Sequence, residues 1–283
     1  MKKKKYMKID FHVHVTPPDI AANWEKYTKD EQYFSLLSKS KVNKFAQAKD
    51  AVCMIEENGF DKAVVFGFAF RDIGLCRYVN DYVIEKTKEF SGKLIGFSVV
   101  PAGGKEAAAE IERCYKAGLK GVGELFPAGQ NIDLEDKKQT ASLCEACKEL
   151  GLPLLLHANE TVGHDYPGKT DIPMKKLETF ITNNPGLKII LAHLGGGIFI
   201  YETMKEISEK FSNVYYDTAA VPFLYDERVY NALKALCLCE KIIFGSDFPI
   251  LPPSRYMENL DKSALSRQEK DLILGSNAQK LML

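Results

Sequence analysis

The sequence lacks long apolar runs and has no excess of charge of either sign. No stretch approaches the roughly 18 consecutive apolar residues that a membrane-spanning helix needs. Lys plus Arg and Asp plus Glu both number 38, so the formal net charge is zero. A neutral chain gives no electrostatic argument for a nucleic acid or an anionic membrane as a partner. We therefore expect no membrane association and no nucleic-acid partner.

A disulfide framework is also not indicated. The seven cysteines are an odd number, and no apolar segment of a signal peptide follows the basic start MKKKKYMK. We therefore expect reduced thiols and a cytoplasmic location. Cys144 and Cys147 form a C-x-x-C motif, but no second pair stands at the spacing of a zinc ribbon. Burial within a helix is the simpler interpretation of this pair.

Short apolar runs are abundant, and they alternate with amphipathic stretches. Eight runs rich in Val, Ile, Leu and Phe have the composition of parallel strands buried on both faces. These predicted strands cover residues 8–15, 62–69, 94–100, 121–126, 153–157, 188–193, 213–217 and 241–247. Predicted helices cover residues 44–58, 75–90, 105–117, 134–150, 174–183 and 198–210. This order predicts an α/β fold, a single (β/α)8 TIM barrel over residues 1–283. A doubly wound open sheet is the alternative, but it would not gather strands one, five, six and eight at one point.

Three strand-to-helix connections are long enough to shape a substrate pocket. They cover residues 16–42, 158–173 and 248–256. The first is rich in aromatic residues, with Trp24, Tyr27, Tyr33 and Phe34, and it predicts a lid-like segment after strand 1. The alternative is a surface cap that has no part in catalysis.

Four histidines and one aspartate stand where a metal site on such a barrel would need them. His12 and His14 are two residues apart on predicted strand 1, so both side chains point to the same side. His157, His193 and Asp247 each end another predicted strand, and barrel enzymes build their active sites at these ends. Imidazole and carboxylate groups suit zinc and similar divalent ions. The sequence therefore predicts a divalent metal site.

The motifs DFHVH, LLLH, LAHLGGG and FGSDFP occur in this order at predicted strands 1, 5, 6 and 8. Together with the ending GSNAQKLM, they resemble the amidohydrolase superfamily, and specifically its amidohydrolase-2 branch, over essentially the whole chain. The resemblance implies a metal-dependent enzyme with one or two ions, of which zinc is the first expectation. It implies His12, His14, His157 and Asp247 as ligands of a mononuclear site. His193 would then be a catalytic group that orients water or polarises the substrate.

Glu124 leaves the number of ions open. It stands in GVGELF at the end of predicted strand 4, where binuclear members of the superfamily often carry a carboxylated lysine. TatD-type nucleases have a bridging glutamate at this place, and GVGELF is similar to their motif. If Glu124 bridges, a second ion would take His157 and His193. The alternative is a glutamate that hydrogen bonds to a ligand or substrate without touching a metal.

Four further residues are candidates for substrate binding. Lys169, Arg71 and Arg255 lie in connections that follow predicted strands, and each could pair with a carboxylate or phosphate. His164 could bind the substrate or transfer protons. For each of the four, an exposed surface position is the alternative.

Three features near the predicted site have less specific interpretations. Asp217, at the tip of predicted strand 7, could support the site through hydrogen bonds. Asp10 points to the other side of strand 1 from the histidine pair, which favours a structural role. The glycines 195–197 follow strand 6, where they could bind an anion at a helix start or allow close packing.

The leading functional hypothesis is a metal-dependent hydrolase of a small amide, ester or lactone. A metal site lowers the pKa of water, and Asp247 could accept the proton and pass it to the leaving group. The second hypothesis is a non-oxidative decarboxylase of an unsaturated or aromatic acid, whose carboxylate needs one of the cations named above. The third is a TatD-like phosphodiesterase or nuclease, which the lack of a basic cluster beyond the first five residues disfavours. A non-catalytic barrel is disfavoured by the intact ligand set, and a homodimer is expected by analogy with other barrel enzymes.

Overall fold

Parallel strands and helices alternate along the chain in the computed structural model, which describes residues 6–40, 44–101 and 103–282. The strands are β1 Ile9–His14, β2 Lys62–Phe66, β3 Leu94–Gly96, β4 Val122–Leu125, β5 Leu154–Leu156, β6 Ile189–Leu191, β7 Val214–Asp217 and β8 Ile242–Ile243. The helices are α1 Pro18–Ala22, α2 Gln32–Lys39, α3 Ala48–Glu57, α4 Ile73–Glu89, α5 Lys105–Lys116, α6 Pro127–Gln130, α7 Lys137–Glu149, α8 Met174–Asn183, α9 Lys205–Lys210, α10 Val221–Leu224, α11 Arg228–Ala235, α12 Pro253–Lys262, α13 Arg267–Asp271 and α14 Asn277–Met282. Short 3-10 turns cover Trp24–Tyr27 and Cys239–Lys241. The basic residues 2–5 and the end of the predicted connection 16–42 lie outside the described residues.

The strands pair in parallel in two sheets, in the orders β1-β2-β3 and β4-β5-β6-β7-β8. Backbone hydrogen bonds also join the margins of the two sheets. Phe11 donates to the carbonyl oxygen of Phe244 at 2.8 Å, which links β1 to the residue after β8. Ser98 donates to the carbonyl oxygen of Gly121 at 2.9 Å, which links the end of β3 to the start of β4. The predicted α/β fold with parallel strands is confirmed, and the arrangement is consistent with a (β/α)8 barrel.

Both faces of the strands are buried, as their near-continuous apolar sequences predict. On β5, Leu154 and Leu156 join one apolar cluster with the surrounding helices, whereas Leu155 joins a second cluster. The second cluster also contains Phe11 of β1 and Phe97 after β3, whose rings meet edge to face at 5.4 Å. These two apolar clusters hold the strands in place, and the strands in turn position the side chains at their ends.

The strands end earlier than the apolar runs predict, most clearly at β8. This strand ends at Ile243, so the prediction that Asp247 ends a strand is wrong. Beyond Ile243 a side chain replaces the ladder partners on the β7 side: the Thr218 hydroxyl bonds to both the backbone N–H and the carbonyl oxygen of Gly245. Asp10 then accepts from the backbone N–H of Ser246 at 2.9 Å. Asp247 follows in the left-handed region, with φ of 60°.

The continuous helix predicted over residues 198–210 is also wrong, because α9 begins only at Lys205. Before it, the segment His193–Thr203 is largely 3-10 helical and contains consecutive residues with positive φ, among them three glycines. A Cβ atom on Gly196, whose φ is 61°, would lie 2.1 Å from the carbonyl oxygen of Asn159. Close packing against the connection after β5 therefore accounts for this glycine.

Two expectations from composition can be compared with the described residues. Among them, none of the helices combines the length and the apolar composition that crossing a membrane requires. The seven cysteines are free thiols, and Cys144 and Cys147 are both buried on α7, as predicted.

Candidate metal centre

The two histidines of β1 and the aspartate after β8 meet at one end of the strands. The distance between Nε2 of His12 and Nε2 of His14 is 3.3 Å. Oδ1 of Asp247 lies 3.6 Å from the first of these atoms and 3.5 Å from the second. The side chains of His12, His14 and Asp247 are 0%, 11% and 7% exposed. We call these three residues the first ligand group.

Glu124, His157 and His193 form a second ligand group beside the first. Oε1 of Glu124 lies 3.0 Å from Nδ1 of His157 and 3.5 Å from Nε2 of His193. The two histidine nitrogens are 3.2 Å apart. The structure therefore places His157 with Glu124 and His193, whereas the mononuclear set inferred from the sequence grouped it with His12, His14 and Asp247.

Glu124 faces both groups, one with each carboxylate oxygen. Its Oε1 belongs to the second group, while its Oε2 lies 3.5 Å from Nε2 of His12 and 3.4 Å from Nε2 of His14. β4 places the side chain there because Glu124 is inside the strand and is only 8% exposed. A carboxylate in this position can contact two cations at once.

The spacing of the atoms fits a divalent cation. Nε2 of His12 and Nε2 of His14 lie 3.3 Å from each other and 3.4 to 3.6 Å from Oε2 of Glu124 and Oδ1 of Asp247. Atoms at such separations match the corners of a tetrahedron around an ion with bonds of about 2.1 Å, the length of zinc bonds to imidazole and carboxylate. The six candidate ligands from the sequence are thus all present in two adjacent groups.

Three of the four histidines are oriented by an acceptor behind the ring. Nδ1 of His12 donates to Oδ2 of Asp217 at 2.8 Å, and Nδ1 of His193 donates to the carbonyl oxygen of Ala219 at 2.9 Å. Nε2 of His157 donates to the carbonyl oxygen of Gly168 at 2.9 Å. Because these acceptors take the only proton of a neutral ring, the nitrogen facing the site carries a lone pair. This is the usual arrangement of metal-ligating histidines.

His14 is held differently. Its Nδ1 is buried without a hydrogen-bond partner in the described part of the chain. The ring instead stacks on Phe68, with centroids 5.1 Å apart and planes at 19°, and it contacts Phe66 edge to face. Aromatic packing therefore takes the orienting role that an acceptor has for the other three rings.

The electrostatics of the site require positive charge between buried carboxylates. Burial alone would raise the pKa of Glu124, but the charge of His12 and hydrogen bonds from the histidines lower it well below its usual range. Burial opposes protonation of His12, yet the charges of Asp217 and Glu124 raise its pKa well above the ordinary value. The same balance raises the pKa of His193 to about 9. Protons on the histidines or a divalent cation can supply the charge that the carboxylates need.

Two aspartates behind the site fix its geometry. Oδ1 of Asp217 accepts from the backbone N–H of His193 at 2.9 Å, in addition to the bond from His12, so this carboxylate ties β1 to the end of β6. The predicted supporting role of Asp217 is confirmed by these contacts. Asp10 binds the backbone of Ser246, and the Tyr256 hydroxyl donates to the carbonyl oxygen of the same residue. These bonds hold the segment that carries Asp247.

A cavity of about 300 Å³ opens over the two ligand groups. All three long connections predicted from the sequence contribute to its wall. The apolar and aromatic lining comprises Tyr33, Phe34, Leu37, Phe68, Ala69, Phe126, Tyr166, Pro167, Ala220, Phe223, Leu224, Pro249 and Ile250. The ionisable lining comprises His14, Glu31, Glu124, His157, His164, His193 and Asp247.

The four predicted substrate-binding residues lie in different environments. His164 lines the cavity. Nζ of Lys169 donates to the carbonyl oxygens of Val162, Gly163 and His164, so this cation holds the connection after β5 in place. Arg71 and Arg255 are exposed and are not among the described residues that line the cavity.

Sequence reasoning missed Glu31, Phe68 and Phe126 as parts of the cavity. Phe68 and Phe126 could have been found, because both stand at the C-terminal ends of predicted strands, where barrel sites form. Glu31 has no comparable signal. It is buried at the start of α2, and its carboxylate accepts from the backbone N–H groups of Arg71 and Asp72 at 2.8–3.0 Å.

Comparison with known proteins gives a family and a fold. The family model described as amidohydrolase, of the amidohydrolase-2 type, matches residues 9–282. The search of curated proteins gave no match.

Solved structures of similar fold cover nearly the whole chain. The 5-carboxyvanillate decarboxylase of Sphingomonas paucimobilis is 16% identical, with a TM-score of 0.76 over 98% of this chain and 99% of that chain. A dihydroxybenzoic acid decarboxylase of Polaromonas sp. JS666, solved with bound manganese, is 16% identical, with a TM-score of 0.72 over 98% and 97%. A probable 2-pyrone-4,6-dicarboxylic acid hydrolase of Acinetobacter baumannii is 17% identical, with a TM-score of 0.65 over 97% and 98%.

Proposed function

The chain belongs to the amidohydrolase family, and from this premise we propose that it is a metal-dependent hydrolase of small, apolar esters, amides or lactones. That the chain is an enzyme follows from its family. The observation that carries the proposed reaction is the position of Glu124 between two ligand groups that open onto an apolar cavity. We also propose that the hydrogen-bonded sheet margins close one barrel, that residues 1–283 form a single domain, and that the segment after β1 is its lid.

The six residues of the two ligand groups would hold the cation. His12, His14 and Asp247 would hold one ion, His157 and His193 a second, and Glu124 would contact both, as in the TatD-type arrangement. A bound divalent cation lowers the pKa of water towards neutrality and polarises a carbonyl group. Zinc suits these ligands. Manganese should be tested as well, because the dihydroxybenzoic acid decarboxylase structure of similar fold contains it.

The residues of the chain supply the remaining steps of hydrolysis. The apolar walls exclude bulk water and orient the substrate, which strengthens electrostatic interactions inside the cavity. Asp247 lines the cavity and is 5% exposed, so its carboxylate can accept the proton of the attacking water and deliver it to the leaving group. The buried acceptors Asp217, Gly168 and Ala219 keep three histidine rings in fixed orientations throughout.

Decarboxylation of an aromatic acid is the second candidate. The observation that favours it is the similarity in fold to two decarboxylases of aromatic acids. The cavity favours hydrolysis instead, because none of the three cations suggested for holding a substrate carboxylate is in its described lining. The described lining also contains no lysine or arginine to pair with a phosphodiester backbone, which places the nuclease hypothesis last.

Metal content and ester hydrolysis together test the proposal. We expect elemental analysis of protein purified without chelator to give about two divalent ions per chain, and we expect phenyl acetate to be hydrolysed only by the metal-loaded enzyme. The protein stripped with chelator and then reloaded with zinc or manganese is the control. Loss of carbon dioxide from 2,6-dihydroxybenzoate without any hydrolysis of phenyl acetate would favour the second candidate. A protein that takes up no ion after reloading would overturn both.

Replacing Asp217 with asparagine should weaken metal binding without removing a ligand. The asparagine cannot orient and polarise His12 as the carboxylate does, and loss of such an outer partner typically costs about 10–100-fold in metal affinity. Competition with a fluorescent chelator measures this affinity directly. Asp226, an exposed aspartate that pairs with Arg228, provides the control substitution Asp226→Asn. Equal affinity in the Asp217 and Asp226 variants would contradict the orienting role.

A further inference from the structure

Two adjacent residues of α2 reach the two ligand groups through aromatic contacts. The ring of Phe34 meets the ring of Phe68 edge to face at 5.3 Å, and Phe68 stacks on His14 of the first group. The ring of Tyr33 meets the ring of Phe126 at 4.9 Å, and Phe126 meets His157 of the second group at 4.4 Å. The cavity above the ligands therefore has an aromatic wall on each side, and both walls begin on the same helix.

The helix α2 is fixed over the cavity by a buried carboxylate. Glu31, the residue before α2, accepts backbone hydrogen bonds from Arg71 and Asp72 after β2. Its side chain lines the cavity, and burial raises its pKa despite these hydrogen bonds and the charge of Arg71. The position of α2 is thus set by contacts outside the ligand groups.

The charged groups of the cavity wall disfavour a substrate that carries an acidic group away from the metal ligands. Glu31 places a carboxylate at the wall, and the described lining contains no lysine or arginine. Lys169 uses its ammonium group on three backbone carbonyl oxygens, and Arg71 and Arg255 are exposed. A substrate with an acidic group at this end would bring like charges together, and the described lining offers no lysine or arginine to balance them.

We propose that the cavity selects an uncharged aromatic carbonyl compound, and that α2 carries this selection through Tyr33, Phe34 and Leu37. The inference rests on the proposed hydrolysis for its reaction, and it adds the substrate class. For an aryl ester, the oxygen of water bonds to the carbonyl carbon and the bond from that carbon to the aryl oxygen breaks. The proton that Asp247 receives from the water passes to the aryl oxygen, which leaves a carboxylic acid and a phenol.

Binding of ketones tests the selection without any turnover, because ketones are not hydrolysed. Calorimetry on the metal-loaded enzyme should show acetophenone binding about 10- to 100-fold more tightly than 3-acetylbenzoate, since like charges oppose the acid. Acetophenone should also bind more tightly than cyclohexyl methyl ketone, because the rings of the wall interact specifically with an aromatic face. Equal or tighter binding of 3-acetylbenzoate would overturn the proposal, and so would tighter binding of the cyclohexyl ketone.

A cation introduced into the wall should reverse the preference. Leu37 lines the cavity from α2, so Leu37→Arg should bring 3-acetylbenzoate to at least the affinity of acetophenone. Leu36 is the matched control, because it precedes Leu37 on the same helix. It is 48% exposed and is not among the described residues that line the cavity. Leu36→Arg should keep the wild-type order. Reversal in both variants, or in neither, would contradict the role given to Leu37.

The reaction and the selection can fail separately. If the ketones bind in the expected order but phenyl acetate is not hydrolysed, the proposed hydrolysis is wrong and the substrate class stands. If phenyl acetate is hydrolysed but 3-acetoxybenzoate is hydrolysed as fast or faster, the hydrolysis stands and the substrate class is wrong.

Discussion

Replacing Asp247 with asparagine should lower kcat by about 10²–10⁴-fold, the usual contribution of a positioned acid or base. The asparagine side chain still offers an oxygen atom to the first ligand group, but it cannot accept a proton. Its backbone should stay in place, because the N–H of residue 247 donates to the carbonyl oxygen of His12 at 2.9 Å. Steady-state kinetics at saturating metal measure the loss after any fall in metal affinity has been compensated.

The control for this variant is an aspartate outside the cavity. Asp226→Asn removes an exposed carboxylate that pairs with Arg228 and should leave kcat unchanged. Circular dichroism and metal content of the Asp247 variant should match the wild type at saturating metal. Turnover close to wild type in Asp247→Asn would show that another group takes the proton, and His193 would be the next residue to replace.

Replacing Glu124 with glutamine should reduce the stoichiometry from about two ions per chain to one. Each carboxylate oxygen of Glu124 faces a different ligand group, at 3.0–3.5 Å from the nearest histidine nitrogens. Glutamine has one oxygen and one NH2 group, and the NH2 group cannot bind a cation. One ion therefore loses a ligand, and turnover that needs both ions is lost with it. Elemental analysis and isothermal titration with zinc measure the stoichiometry.

Glu31→Gln is the matched control for this change. It removes a buried carboxylate from the same cavity but from neither ligand group, so two ions should remain. Two ions bound with unchanged affinity in Glu124→Gln would contradict the bridging position. One ion in the wild type, retained in Glu124→Gln, would support a mononuclear site with His193 free to act on the substrate.

The spacing of His12 and His14 and the order of the apolar runs were enough to predict a parallel α/β fold and a set of candidate ligands at strand ends. The reason is local: period-two geometry puts both histidines on one side of β1, and buried parallel strands have recognisable sequences. The exact strand limits were not predictable. β8 is only two residues long because the side chain of Thr218, distant in sequence, takes over the hydrogen bonds on its β7 side.

The division of the candidate ligands into two groups also needed the structure. His157 turns Nδ1 towards Glu124 because its Nε2 meets the carbonyl oxygen of Gly168, which belongs to a connection without regular structure. The sequence does not say which nitrogen of a histidine faces a site. It also does not say where long side chains end: Lys169 was a reasonable substrate partner until its three backbone acceptors were known.

The placement of Tyr33 and Phe34 on α2 has a consequence for protein engineering. The ligands come from the strand ends, whereas much of the wall that faces the substrate comes from a segment inserted between β1 and α3. Much of the selectivity is therefore encoded in one contiguous stretch of the gene, apart from the codons of the six ligands. Libraries confined to codons 33–37 would diversify the accepted acyl and aryl groups while the six candidate ligands and Glu31, which holds α2, stay untouched.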